Sequence, residues 1–205
     1  VLCNGQGMDY HCTISSMDEH QVVVSVNSSV PTISEPSVSV TLYQGLPKSD
    51  KMDSVVQKAV EMGVTRIVPM LTQRCVSRPD QKSAQKKVER WQKISFEAAK
   101  QCGRGILPPV SPLTDFSAAL RQSASESTVL FFYEGGGQSL QQCIDSSCKA
   151  YSIFIGPEGG FSEEEVQFAL DLGAKKATLG PRILRTETAP VAALAAIMLT
   201  TGNMT

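Results

Sequence analysis

The chain has 205 residues, 41% hydrophobic and 19% charged, with a formal net charge of -1. It reads as soluble and globular, with material for one domain or one and a half. Its longest apolar stretch, PVAALAAIMLT from Pro190 to Thr200, falls well short of the ~20 residues of a membrane span, so no membrane segment is expected.

Val1 already lies in an apolar, turn-bound pattern, VLCNGQG, so the chain is expected to begin within a domain. QVVVSV (Gln21 to Val26) and SVSVTLY (Ser37 to Tyr43) alternate as strands do, with Asn4-Gly5 and the Pro31/Pro36 segment as turns. Residues 1–36 read as the remainder of a small β domain, with Thr32 to Ser37 as its linker, and residues 37–205 as an α/β domain. Asp50 is placed to cap a helix carrying Met52, Val55, Val56, Ala59 and Val60 at helical spacing, and Gly63 to end it. A strand, VTRIVPML, follows at residues 64–71. A longer helix spans Asp80 to Cys102, with Ala84, Val88, Trp91, Ile94 and Ala98 on one face and Gly103 as its stop. Strands TVLFFYE (128–134) and YSIFIG (151–156) come next. Ser162 and Glu165 have capping-box spacing, which predicts a helix running to Gly173. A last strand, KATLG, feeds the loop PRILRTET and an alanine-rich helix from Thr188 to Thr201, where Pro190 is tolerated in the first turn. Alternation of this kind predicts a mostly parallel sheet covered by helices.

Six scattered cysteines without a CxxC pair, and only His11 and His20 beside them, point away from zinc and toward reduced thiols in a cytoplasmic protein. The small net charge hides an uneven distribution. Residues 66–104 hold ten basic groups against three acidic ones, while each flank is acidic. Within the long helix Lys82, Lys86, Arg90 and Lys93 share a face roughly opposite the apolar one.

Three predicted strands, ending at Glu134, Gly156 and Gly180, run directly into glycine-bearing loops. In a parallel sheet such loops line the ligand crevice. Gly159 and Gly160 remove side chains where backbone would approach a ligand. No GxxxxGK[ST] occurs and no GxGxxG follows a strand, so the common nucleotide motifs are absent. The helix after IGPEGG opens with three glutamates, which would repel a phosphate at its N-terminus. A neutral or cationic ligand fits better.

The segments LPKSDKMDSVVQKAVEMGVTRIVPMLTQRCVSR, ERWQKISFEAAKQCGR, IGPEGGFSEEEV and LGPRILRTETAPVAALAAI resemble those of the RsmE family of ribosomal RNA methyltransferases, in register from about Leu42 to Ile197. The resemblance implies transfer of a methyl group from S-adenosylmethionine to N3 of one uridine in 16S ribosomal RNA. It implies a SPOUT-type α/β fold whose last loops thread a trefoil knot, preceded by a PUA-like β domain that this chain holds in part, lacking its first few dozen residues. It implies a homodimer acting on ribosomal RNA or the small ribosomal subunit. The cofactor pocket would use Phe132, Tyr133, Glu134 and Gly135; Ile155, Gly156, Pro157, Glu158, Gly159 and Gly160; and Leu179, Gly180, Ile183, Leu184, Arg185, Thr186, Thr188 and Ala189. S-adenosylmethionine carries a sulfonium and no phosphate, in keeping with the acidic helix start.

N3 of uracil carries a proton, so transfer to it needs a base, or a cation that stabilises the uracilate. Arg182, Arg185 and Glu187 are the candidates, with the alternative that Arg185 and Glu187 only pair with each other; the residues do not single out the base. With RNA as substrate, Arg74, Arg78, Lys86, Arg90, Lys93, Gln101 and Arg104 become candidate RNA contacts. The competing readings are another RNA position on the same fold, or an RNA-binding protein without turnover.

Overall fold

The computed structural model describes residues 1–145 and 147–204. It opens with a three-stranded antiparallel sheet in the order β1 (Leu2–Cys3), β2 (Met8–Met17) and β3 (Val22–Pro31). The strand expected at residues 21–26 is thus the first part of a ten-residue ribbon strand. Its partner β2 is not announced by its sequence, because MDYHCTISSM has no clean alternation and the pairing shifts register between His11 and Cys12 and between Ile14 and Ser16.

The rest of the chain alternates: β4 (Ser39–Gly45), α1 (Lys51–Glu61), β5 (Arg66–Leu71), α2 (Gln81–Cys102), β6 (Thr114–Asp115), α3 (Phe116–Glu126), β7 (Thr128–Phe132), β8 (Gln138–Ser139), α4 (Leu140–Cys143), β9 (Ala150–Ile155), α5 (Glu163–Asp171), β10 (Lys175–Thr178) and α6 (Ala189–Thr200). The strands form one sheet in the order β6-β5-β4-β9-β7-β10-β8, and every pairing in it is parallel. The α/β class with a mostly parallel sheet is therefore as the sequence predicts.

Side-chain alternation along these strands builds two cores. Val40, Leu42, Leu130, Phe132, Ile153 and Ile155 face α1, α2 and α6, where Val56, Trp91 and Leu194 meet them. Tyr43, Val129, Phe131 and Phe154 face α3 and α5 with Phe116, Leu120 and Val166. The second core is aromatic: Tyr43 stacks on Phe154 with ring centroids 4.4 Å apart, and Phe131 lies 4.3 Å from Phe161.

The helix signals act where expected, with one exception. Met52, Val55, Val56, Ala59 and Val60 of α1 are all buried, and Gly63 ends that segment with φ 87°. Asp50 occupies the cap position, yet its carboxylate accepts no capping bond and instead lies 3.8 Å from Arg90. Asp80 does cap α2, accepting from the Ser83 amide at 2.7 Å, and Ser162 and Glu165 form the reciprocal capping box of α5. Helix α3 has no counterpart in the sequence reading: FSAALRQSASE is rich in serine and has no glycine stop. Among the described residues no helix is long and apolar enough to cross a membrane.

Candidate active site at the carboxyl ends of the central strands

Strands β9, β7 and β10 are neighbours and parallel, so their carboxyl ends lie side by side and the loops after them converge. The loops enclose a cavity of about 810 Å³. Its walls are Phe132, Tyr133 and Glu134 from the first loop, Ile155, Gly156, Pro157, Glu158 and Gly160 from the second, and Leu179, Gly180, Ile183, Leu184, Arg185, Thr186 and Ala189 from the third. Three expected residues stand apart from it. Gly135 packs against the Tyr133 ring, Gly159 against Arg74, and Thr188 holds the cap position of α6.

The middle loop is shaped by glycine. Gly160 has φ 65°, and a Cβ there would sit 2.7 Å from a carboxylate oxygen of Glu134. The third loop is tied back onto the sheet. Thr186 Oγ1 donates to the Gly156 carbonyl at 2.7 Å and accepts from Gln44 Nε2 at 3.0 Å. Gln44, on β4, is fully buried, and its Oε1 has no hydrogen-bond partner.

Lys51, in the first turn of α1, reaches the cavity and organises its acids. Its Nζ donates to Glu158 at 2.8 Å and lies 3.7 Å from Glu187 Oε2. Glu158 also accepts from the Lys48 amide at 3.2 Å. Burial opposes the charge of Glu158, but Lys51 and the backbone amides outweigh it and hold the carboxyl below its usual range. Glu158 is thereby committed to fixing the loop. Glu187 is not: its Oε2 is buried without a hydrogen-bond partner. Arg182 and Arg185 are exposed along the same wall, and among the described residues neither forms an ion pair with Glu187. The pairing considered for Arg185 and Glu187 is replaced by the approach of Lys51.

Lys51 and Gln44 carry no local motif that marks them, because both come from elements distant in sequence. Gly136, Gly137, Phe161, Ala177, Thr178 and Pro181 also line the cavity. Gly136 and Gly137 belong to the glycine-bearing loop after Glu134, Pro181 to the loop PRILRTET, and Phe161, Ala177 and Thr178 lie within two residues of expected ones.

The basic segment divides. Lys86, Lys93 and Gln101 are exposed on α2, where with Arg90 they border a shallow groove shared with Gln57 and Glu61 of α1. Arg90 is ion-paired with Asp53 and lies near Asp50. Arg74 donates to the Gly159 carbonyl at 3.0 Å and Arg78 to the Thr72 carbonyl at 2.8 Å, so both brace loops beside the cavity. Arg104 contradicts the expectation that it faces a nucleotide. Its side chain is 3% exposed and pairs with Glu35 at 2.6 Å, because the left-handed turn at Gly103 aims it inward at the end of α1.

Comparison with known proteins agrees with this architecture. Residues 34–198 match the model of the RNA methyltransferase domain. The chain is 35% identical over 204 residues to ribosomal RNA small subunit methyltransferase E of Bacillus subtilis, covering 96% of this chain and 80% of that protein. It is 32% identical over 194 residues to the protein of the same name from Aquifex aeolicus, covering 94% and 82%. The crystal structure of the Neisseria gonorrhoeae ribosomal RNA small subunit methyltransferase E bound to S-adenosyl methionine superposes with a TM-score of 0.87, at 36% identity and over 96% of this chain and 81% of that one. On these matches the chain belongs to the ribosomal RNA small subunit methyltransferase E family of RNA methyltransferases.

Proposed function

We propose that the protein methylates N3 of one uridine in 16S ribosomal RNA, with S-adenosylmethionine as donor, and that the cavity after β7, β9 and β10 holds both reacting groups. The observation that carries this reading is the join of family membership to a cavity with carboxylates in its wall. About 810 Å³ is ample for a cofactor of this size, and Glu134 and Glu187 offer carboxylates to a cation. The fit is also local: the space beside Gly160 that a Cβ would fill lies against the Glu134 carboxylate. The Phe132–Glu134, Ile155–Gly160 and Leu179–Ala189 walls would hold the cofactor. When bound, the cofactor supplies an electrophilic methyl group on a sulfonium.

The chain's own residues supply the rest. Glu187 is the proton acceptor for N3–H, since Glu158 is hydrogen-bonded to Lys51 and the Lys48 amide while Glu187, 3.7 Å from Lys51, accepts no hydrogen bond at Oε2. Arg182 and Arg185 offset charge developing on the uracil oxygens. Lys86, Lys93 and Gln101, with Arg90 and the braces Arg74 and Arg78 beside the cavity, form the RNA-facing side.

The finer architecture is part of the same proposal. Residues 1–36 form part of a PUA-like β domain, and residues 37–205 form a SPOUT-type domain closed by a trefoil knot. The knot is supported by the path of the third loop, which leaves β10, recrosses to Gly156 and Gln44, and delivers α6 against α1 and β9. A homodimer through α6 is supported by that helix's composition: it is apolar on all sides, yet Leu199 is 64% exposed. The small ribosomal subunit, in the cytoplasm, is the partner. Calorimetry with S-adenosylmethionine, followed by transfer of labelled methyl groups to small-subunit RNA, tests the reading. Heat and label are expected; RNA binding without either would favour a non-catalytic RNA-binding protein.

A further inference from the structure

The four residues after α2 do more than end a helix. Among the described residues, every hydrogen bond from residues 1–36 to the α/β body ends on residues 103–106. Ser34 Oγ donates to the Gly103 carbonyl at 2.6 Å, and the Gly7 amide donates to the Gly105 carbonyl at 2.8 Å. Glu35 Oε1 accepts the amides of Gly105 and Ile106 at 2.9 and 3.0 Å. Thr32 packs where a Cβ at Gly105 would stand, 2.1 Å from its Oγ1, so only glycine admits this approach.

Arg104 is the centre of the junction. Its Nε and Nη2 donate to the Glu35 carboxylate at 3.3 and 2.6 Å, and its Nη1 donates to the carbonyls of Val64 and Val60 at 2.5 and 3.4 Å. One guanidinium thus joins the linker after β3, the end of α1 and the end of α2. The Arg104 and Glu35 side chains are 3% and 15% exposed. Burial opposes the charge on Glu35, yet Arg104 and the two amides hold its carboxyl below the usual range. A pair so enclosed tolerates loss of one partner poorly.

The junction stands at the root of a lever. Strands β2 and β3 have ten residues each. At about 3.3 Å per residue the ribbon is about 33 Å long, so a 10° change at its root would move its tip by about 6 Å.

We infer that Glu35 and Arg104 are positioning residues for the RNA substrate: their junction fixes the β1–β3 arm against α2, so that arm and basic helix face meet one RNA as a single surface. This rests on the RNA-methyltransferase reading above. The pair does not touch the cofactor cavity. Its loss is therefore felt in RNA affinity and not in cofactor affinity or in the rate at saturation.

The test uses spin labels attached at exposed positions Glu19 and Gln85 by a cysteine-independent chemistry, with kinetics on small ribosomal subunits. In Glu35→Gln the label distance distribution is expected to broaden and KM for the subunit to rise about tenfold or more, as arm and helix face cease to bind one RNA together. The kcat and the affinity for S-adenosylmethionine are expected to stay at parent values. Should the single variant fail to fold, Glu35→Ala combined with Arg104→Met removes both charges and is read the same way. An unbroadened distribution overturns the junction as the source of the arm's orientation, and a broadened one with unchanged KM overturns its role in placing RNA. A parent protein that transfers no methyl group to ribosomal RNA overturns the underlying functional reading instead, whatever the distances.

Discussion

In the seven-stranded sheet Leu42, Leu130 and Ile153 have no exposed surface, whereas in the arm Ile14, Val22 and Val26 of β2 and β3 remain 63%, 53% and 58% exposed. The first sheet is covered on both faces and carries its own core. The second is a ribbon of a kind that is marginal in isolation, and it takes its place from the Glu35–Arg104 junction. Chemistry that needs fixed geometry sits on the self-supporting sheet, and the arm supplies reach. A part that stabilises itself can hold reacting groups within fractions of an ångström; a part held at its root can be displaced by one substitution far from those groups.

The largest effect is expected at the cavity. Gly160→Val is expected to abolish detectable S-adenosylmethionine binding while the chain stays folded, because valine is strained at φ 65° and its Cβ would meet the Glu134 carboxylate. Calorimetry beside a far-ultraviolet dichroism spectrum checks both halves. Unchanged affinity would remove the cavity from the cofactor's path.

Matched truncations separate the two sheets by their cost in stability. Leu42→Ala is expected to lower unfolding free energy by about 2 to 5 kcal/mol, as deletion of a fully buried leucine does. Val26→Ala on the arm is expected to change it by less than about 0.5 kcal/mol. Denaturant titrations of the two variants read the difference directly; equal costs would mean that the arm is packed as the body is.

A smaller effect separates free cations from engaged ones. Replacing Lys86 and Lys93 together by Gln should flatten the salt dependence of RNA binding by about 0.7 to 0.9 log units per lost phosphate contact. Arg90→Gln should flatten it less, because that guanidinium is already paired with Asp53. Filter binding across a salt series measures each slope, and a slope equal to the parent's would make the α2 stripe a solvated face.

The parts of the molecule legible in the sequence are those decided by neighbours along the chain. VLFF and YSIFI are buried on both faces and read as continuous apolar strands, and the capping box at Ser162 and Glu165 forms as its spacing requires. The three loops were legible for a related reason: a strand running straight into glycine marks the carboxyl edge of a parallel sheet. What stayed hidden is decided across space. Arg104 looks like one more cation of a basic helix until the carbonyls of Val60 and Val64 and the carboxylate of Glu35 are placed around it. Lys51 looks like an ordinary first-turn residue until Glu158 and Glu187 come to it from the far end of the chain. Helix α3 was missed because its serines weaken the signal that Phe116, Ala119 and Leu120 would give once packed on β7.

On this reading the cavity directs a methyl group to the Watson-Crick edge of one uridine. Mass mapping of nucleosides from small ribosomal subunits treated with the protein and S-adenosylmethionine tests it most directly. A single N3-methyluridine in 16S ribosomal RNA is expected, absent when Glu187→Gln replaces the parent. Methylation at a ribose hydroxyl or at uracil C5, or N3 methylation undiminished in Glu187→Gln, would contradict it.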